Sequence, residues 1–477
     1  MSQTTHYTTA PEDRIPIKQK SAYAVGMFVN NLQAAALPAM VVILNLGLGM
    51  DPVLVGLIGT IPRFFDAVSD PMLGYISDNS RTRWGRRRPF ILIGALLAGL
   101  IFALMWQLPQ GHSQSFYFWT FMTASILFFL AYTVYATPFV AFGYEMTPDY
   151  HERTRLHTFA NTVGQIAWLG VPWFYAIMAN ENLFRDTVHG ARTLAIWVGA
   201  AVAILGIVPA IFCKEKFGAQ PDNHPDKGFW KNMLEFFKGI GITFKCKPFV
   251  KLCAATFLVF NGFQLGMSFS LYIMIYYLFN GSDATAGKLN GWFGMLTSIC
   301  TFAVIQLTGL IATKIGKRQT FLITISLSLV GYALKWVGYN PEHPYWLLFA
   351  APLVAFGTGS LFTLMGSMIA DVCDYDELNT HQRREGVFGA IYWWMVKVGM
   401  ALAALLTGIM LKVSGFDVAL EGAQSDRTLL LLRIFDVGVP LVTSAIAIGI
   451  IATYEISEQR AHEIRLELEQ RRGKVQE

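Results

Sequence analysis

Apolar runs of roughly 20 residues, long enough to cross a lipid bilayer, recur along this chain from about residue 21 to residue 454, with short polar loops between them. Water cannot satisfy backbone groups inside a bilayer, so such runs must be helices or the strands of a closed barrel. The runs are continuous rather than alternating, which excludes a barrel. Composition agrees: 54% of the residues are hydrophobic and 14% charged, whereas soluble domains carry about 25% charged residues. Mean hydropathy is +0.43. An all-α membrane protein follows.

Hydropathy and helix-breaking residues predict about twelve spans. The first group covers 21–46, 52–77, 89–107, 116–146, 156–179 and 192–213. The second covers 250–280, 286–313, 318–338, 344–372, 386–413 and 428–454. Between them lies the longest polar interruption, 214–249, which reads as a linker between two six-helix bundles, 21–213 and 250–454. Residues 1–20 read as a polar N-terminal tail and 455–477 as a charged, solvated C-terminal helix, with Glu467 and Arg471 at i, i+4. Gly74–Arg88 (GYISDNSRTRWGRRR) and Gly309–Arg318 (GLIATKIGKR) occupy corresponding places in the two halves. So do PDYHERTR at 148–155 and DYDELNTHQRREG at 374–386. These echoes suggest an internal duplication.

Basic residues set the expected orientation. Arg81, Arg83, Arg86, Arg87 and Arg88 crowd one loop, and Lys314, Lys317 and Arg318 another. The segment 214–249 carries seven lysines, Lys214 and Lys247 among them. Loops 47–51 and 108–115 hold no Lys or Arg. The positive-inside rule then places both termini and the linker in the cytoplasm of an inner-membrane protein. No cleavable signal peptide is expected, because residues 1–20 are polar and the first apolar run outlasts a signal core. The net charge of +5 resides in loops and gives no sign of nucleic-acid binding. Five cysteines show no CxxC pairing and read as reduced small residues. The absence of a Gly-rich phosphate loop argues against an ATP-driven pump, and nothing points to an enzyme or a bound cofactor.

Charges inside the spans carry the functional signal, because they are costly there and face polar pathways. Asp66 and Asp70 stand at i, i+4 in the second span, on one helix face. With Ser69, and Thr133 of the fourth span, they offer the oxygen ligands that Na⁺ prefers, or a carboxylate that carries H⁺. The competing structural reading is an ion pair of Asp66 with Arg63. Lys397, deep in the eleventh span, is expected in the cavity, balancing the acids or meeting substrate. Arg63 adds to that charge balance. Tyr132, Tyr135, Trp393 and Trp394 offer ring faces for sugars. Asn30, Asn31, Asn161, Gln165, Asn261 and Gln264 are amides suited to hydroxyl groups. Each of these aromatics and amides is, on its own, as readily a packing or helix-bridging residue. Arg433 and Asp436 read as an ion pair in the last span. Asp78, Arg86, Arg87, Glu145, Arg153, Asp371 and Asp374 read as a cytoplasmic gate of opposite charges.

Three blocks carry a resemblance: FFDAVSDPMLGYISDNSRTRWGRRRPFILIG after residue 63, YTVYATPF at 132–139, and ADVCDYDELNTHQRREG with MVKVG at 370–399. With these the chain resembles the glycoside–pentoside–hexuronide:cation symporters of the major facilitator superfamily, the melibiose permease-like family. The resemblance implies a cation site at Asp66, Ser69, Asp70 and Thr133, an intramembrane lysine at Lys397 and a cavity tyrosine at Tyr132. The family's sugar-binding acids fall at Asn30 or Asn31 and at Ala136. A neighbouring Trp falls at Val140, and the arginine of the fifth span at Asn161. Most of the galactoside-recognition set is therefore absent.

The expected function is cation-coupled import of a sugar, glycoside or oligosaccharide by alternating access, with Na⁺ or H⁺ as coupling ion. The substrate is expected to be uncharged or acidic rather than cationic. An amphiphile such as a lysolipid is the alternative substrate, and a non-transporting receptor or scaffold the alternative role. The expected partners are a small-molecule saccharide and the lipid bilayer, with no nucleic acid and no obligate protein partner.

Overall fold

The computed structural model describes residues 11–80, 82–147, 149–214, 241, 243–381 and 384–471. Within these, the side chains of Glu12, Asp78, Asn79, Tyr150, His151, Glu385, Arg465 and Glu469 are outside the described set. Most of the 214–249 linker and the first ten residues also lie outside it.

No strand occurs among the described residues. The first half comprises α1 (Ile17–Met40, continued by Val42–Leu46), α2 (Pro52–Asn79), α3 (Arg88–Met105) and α4 (Gln114–Glu145). It ends with α5 (Tyr150–Gly170, prolonged through Val171–Trp173 and Phe174–Met178) and α6 (Thr187–Gly206, continued by Val208–Phe212). The second half comprises α7 (Lys247–Ile273, ending in a π turn at Met274–Leu278), α8 (Asp283–Ile315) and α9 (Lys317–Gly338). It continues with α10 (Ala351–Thr380, entered through Pro344–Ala350), α11 (Glu385–Ser414) and α12 (Asp426–Ala452). A short α13 (Glu458–Arg471) follows. Helix starts obey local chemistry: the side chains of Asp51, Ser113, Asp149, Asp186 and Ser425 each cap a free backbone N–H.

Eleven helices among the described residues are long and apolar enough to cross a membrane. The exception is α5, which has the length but carries Glu152, Arg153, Arg155, His157, Asn161 and Gln165. Such a helix is sustained at membrane depth only by neighbours and polar surroundings, and it packs along α1. α1 begins at Ile17 rather than 21, and α10 runs on to Thr380 rather than 372.

Packing repeats between the halves. In the first, α1 meets α5 and α6, α2 meets α4, and α3 meets α4 and α6. In the second, α7 meets α11 and α12, α8 meets α10, and α9 meets α10 and α12. Adding six to each helix number converts one set into the other, as a duplicated transporter fold requires. Two large contacts join the halves, α2 with α11 and α5 with α8, and the same operation exchanges them. Close approach depends on glycine at α3–α6: a Cβ on Gly99 would stand 2.4 Å from the carbonyl oxygen of Gly199, and the reverse holds equally.

The second half holds a buried charge pair that the sequence reading assigned differently. Asp436 of α12 does not pair with Arg433. Lys335 of α9 lies 2.8 Å from Asp436 Oδ2, with the two side chains 2% and 0% exposed. Ser270 and Tyr339 also donate to Asp436, at 2.8 Å each. Arg433 instead stacks on Tyr277 and Trp336, 4.4 Å from each ring centre, and donates to the Tyr277 hydroxyl. Lys335→Met is expected to destabilise the protein by about 3–5 kcal/mol, because it strands a buried carboxylate. Combining it with Asp436→Leu should recover most of that loss. Thermal unfolding of the detergent-purified variants checks it; equal damage from single and double variants would contradict the pairing.

Candidate functional site

The site is built on α2, α4 and α11. Asp51 caps α2, and Pro52 supplies its first turn. From there 3.6 residues per turn carry Arg63, Asp66 and Asp70 down one side of the helix. On α4, Thr133 and Thr137 have the same one-turn spacing as the two acids. The Thr133 hydroxyl lies 2.8 Å from Asp66 Oδ1 and 2.9 Å from the Phe129 carbonyl oxygen, so its single proton serves one at a time. Thr137 reaches Asp70 Oδ1 at 3.4 Å. Ser69 lies 3.4 Å from the Thr133 hydroxyl and 3.1 Å from the carbonyl of Asp66.

Lys397 arrives from the other half on α11 and closes the cluster. It hydrogen-bonds Asp70. It also stands 2.9 Å from Asp66 Oδ2, off the hydrogen-bonding direction. Asp66 is sealed at 1% exposure, whereas the side chains of Asp70 and Lys397 remain 35% and 24% exposed. The acids therefore have one sheltered and one accessible member. Thr133 and Thr137 brace the Oδ1 atoms of Asp66 and Asp70, Ser69 reaches Thr133, and the Oδ2 atoms of the two acids meet the lysine ammonium. That arrangement suits a monovalent cation competing with Lys397 for the same carboxylates.

Arg63 does not pair with Asp66, so that reading is corrected. Its guanidinium lies over the Phe129 ring, 4.6 Å from the centre. Tyr132, half-buried beside this cluster, stacks on Phe128. Tyr135 does not line the site. It is fully buried, stacked on Phe139, with its hydroxyl donating to the Gly26 carbonyl at 2.9 Å. Trp393 is 57% exposed, stacks on Phe362 of α10 and stands one turn before Lys397 on the same face of α11. Asn261 donates to the Phe257 carbonyl in its own helix and lines a narrow crevice with Tyr392. Asn30, Asn31, Asn161, Gln165, Gln264 and Trp394 are half-buried or exposed, and no described hydrogen bond joins them to the acids. Buried amide atoms of Asn30, Gln33 and Asn261 have no protein partner. They lie on α1 and α7, which correspond under the repeat.

The charges near the basic loop do not tie the halves together in the pairs described. Arg86 and Arg87 both hold Glu145, at 2.5 and 2.6 Å, within the first half. Arg153 donates to the Thr147 carbonyl, also within that half. Asp371 pairs with Lys317 at 2.7 Å within the second; Asp374 lies on the same end of α10. The Asp78 side chain is outside the described residues. Glu145→Gln is expected to cost about 1.5–3 kcal/mol, the range for charged hydrogen bonds. A fall in melting temperature without loss of coupling stoichiometry would match a structural role.

A further ion pair between the halves lies at the opposite end and escaped the sequence reading. Lys412 of α11 meets Asp51 at 2.6 Å. Burial raises the Asp51 carboxyl, but Lys412 and the N–H groups of Val53 and Leu54 lower it further, so the net direction is downward. A depressed carboxyl keeps its contribution at all pH above the ordinary carboxylate range and loses it only in acid. Around this pair the halves are in backbone contact. A Cβ on Gly408 would lie 2.3 Å from the Pro52 carbonyl oxygen, and one on Gly56 2.8 Å from that of Ala404. Thr60 donates to the Ala401 carbonyl at 2.8 Å, and Tyr272 to Asn45 at 3.0 Å. On the α2–α11 flank the described contacts between halves thus run from the Asp51 end down to Lys397.

The chain is similar to known proteins over most of its length. Residues 22–458 match the family described as MFS/sugar transport protein. A putative sulfoquinovose importer of Salmonella typhimurium is 27% identical over 96% of this chain and 94% of its own. An isoprimeverose transporter of Lactiplantibacillus pentosus is 23% identical over 92% and 89%. Among solved structures, a bacterial homolog of the human lysosomal transporter Spinster, inward-facing and unoccupied, superposes with a TM-score of 0.68 at 13% identity. That match covers 94% of this chain and 98% of the other, and at such identity it speaks to the fold alone.

Proposed function

The chain belongs to the MFS/sugar transport protein family, and from that premise we propose that it imports a saccharide together with Na⁺ or H⁺ by alternating access. It is a multi-pass membrane transporter, not an enzyme. The observation carrying the coupling reading is the buried Asp66–Asp70 pair held by a lysine from the opposite half. In the described state Lys397 occupies the place of a cation. A cation that takes over the carboxylates releases Lys397 and loosens a tie between the halves, so its binding biases the balance of states.

The positive-inside bias supports a cytoplasmic Arg86 end, with both termini there. The Asp51 end then faces outward, and its closure corresponds to a state open toward the cytoplasm. The orphaned amides of Asn30, Gln33 and Asn261 supply donors and acceptors for sugar hydroxyls, with Tyr132 as a stacking face. The saccharide-transporter names of the relatives at 27% and 23% identity support this substrate class. Uptake of labelled saccharides into vesicles, with and without an imposed Na⁺ or pH gradient, tests the proposal. Accumulation above equilibrium that collapses with one gradient identifies the ion; accumulation of no saccharide under either gradient refutes the reading.

A further inference from the structure

Helical threonines in this protein commonly turn the hydroxyl back on their own helix. Thr60, Thr162 and Thr407 each donate to the carbonyl four residues earlier, and Thr133 does so too. The favoured rotamers of a helical threonine permit this back-bonding. Thr137 departs from the pattern. Its described hydrogen bond crosses from α4 to α2 and reaches Asp70 Oδ1 at 3.4 Å. Its methyl group faces Gly74, one turn further along α2, where an added Cβ would stand 3.6 Å from Thr137 Cγ2. Thr137 thus spans one turn of α2, with the methyl packed at one end and the hydroxyl aimed at the acid at the other.

The two acids differ in what else holds them. Asp66 is 1% exposed, so packed surroundings fix its carboxylate. The Asp70 side chain is 35% exposed, and the described partners of its carboxylate are Thr137 and Lys397. A cation that takes over the carboxylates displaces Lys397. Thr137 is then the described group that still holds Asp70.

We infer that Thr137 is the positioning residue that makes the site prefer Na⁺ over K⁺, by holding Asp70 to one coordinating oxygen. This rests on the cation-symport reading above and takes its Na⁺ arm. With Oδ1 engaged by Thr137, Oδ2 is the oxygen turned to the ion. A carboxylate free to roll offers both. Cation selectivity follows cavity size, ligand number and ligand flexibility. A larger ion needs more oxygens at longer range, and a rolling carboxylate supplies them, whereas a single fixed oxygen keeps the site small. Such preorganisation comes from the side chains that support a ligand rather than from the ligand itself.

The test uses purified full-length protein titrated with NaCl or KCl in choline chloride, at constant ionic strength and neutral pH, with affinity read by calorimetry. Na⁺ is expected to bind at least roughly tenfold tighter than K⁺ in the unaltered protein. In Thr137→Val the ratio of Na⁺ to K⁺ affinity should fall about fivefold, the worth of one neutral hydrogen bond. Thr137→Ser, which keeps the hydroxyl, should recover most of that ratio. Thr133→Val should weaken Na⁺ and K⁺ alike and leave the ratio, because Asp66 is held by its surroundings. Equal affinities for Na⁺ and K⁺ in the unaltered protein overturn the inference, whatever the folding of the variants. So does an unchanged ratio in folded Thr137→Val, or an equal fall of the ratio in Thr133→Val. Binding of neither ion, with saccharide uptake driven by a pH gradient, defeats this inference and leaves saccharide symport standing. Binding of neither ion, with no saccharide uptake under either gradient, defeats both.

Discussion

Asp66→Asn and Asp70→Asn are each expected to reduce cation-driven accumulation to the equilibrium level while leaving a folded protein. Each carboxylate contributes a full charge to a site where Lys397 and a cation compete. Removing a buried charged partner costs about 3–5 kcal/mol, which converts to roughly a hundredfold or more in cation affinity. The larger effect belongs to Asp66. It is 1% exposed, so water cannot replace it, and it has the Thr133 hydroxyl and the Lys397 ammonium within 3 Å. Asp70, at 35% exposure, has water to substitute for part of its role. Thr133→Val, which removes one neutral hydroxyl, should cost about 1 kcal/mol and leave weakened coupling. Counterflow and gradient-driven uptake in proteoliposomes separate these outcomes. Normal accumulation by both Asn variants would remove the coupling site from this location.

The second large effect is mechanical. Gly408→Trp should stop the halves from closing at the Asp51 end. The nearest atom to an added Cβ there is a backbone oxygen, that of Pro52, at 2.3 Å. A flexible side chain can swing aside, but a backbone carbonyl on a packed helix cannot. Overpacking of about 1–3 kcal/mol is enough to shift a two-state balance roughly ten- to hundredfold. Transport should fall accordingly, because one limb of the cycle is blocked. A cysteine at Asn45, which Tyr272 covers across the halves, should then react faster with an impermeant maleimide. The background for this measurement lacks the five native cysteines. Unchanged labelling together with unchanged uptake would show that this interface does not gate.

Much of the fold was legible in the residues because membrane spans are governed by local rules. A run of apolar residues long enough to cross a bilayer has no choice but to be helical, whatever surrounds it. The acidic pair stood out for the same reason: charge at membrane depth is rare and costly. The threonine ladder of Thr133 and Thr137 had a signal that went unused. Its i, i+4 spacing copies that of Asp66 and Asp70, so the two helices could be matched turn for turn. Tyr135 could not be sorted in this way. An aromatic in an apolar span reads alike whether it faces the core, the lipid or a cavity, and only the packed neighbours distinguish the three.

The residues by themselves determined that the chain crosses a membrane many times as helices, in two similar halves, with two carboxylates on one face of the second. These follow from helix period and transfer energy, which act over a few turns. Which charge meets which carboxylate was decided by tertiary structure. Arg63 is one turn from Asp66, yet Lys397, more than three hundred residues away in sequence, holds both acids. Lys335 rather than Arg433 holds Asp436. The Asp51–Lys412 pair exists only because α2 and α11 come together. Electrostatic pairing depends on distance in space and on burial, and a linear sequence encodes neither until the halves have packed.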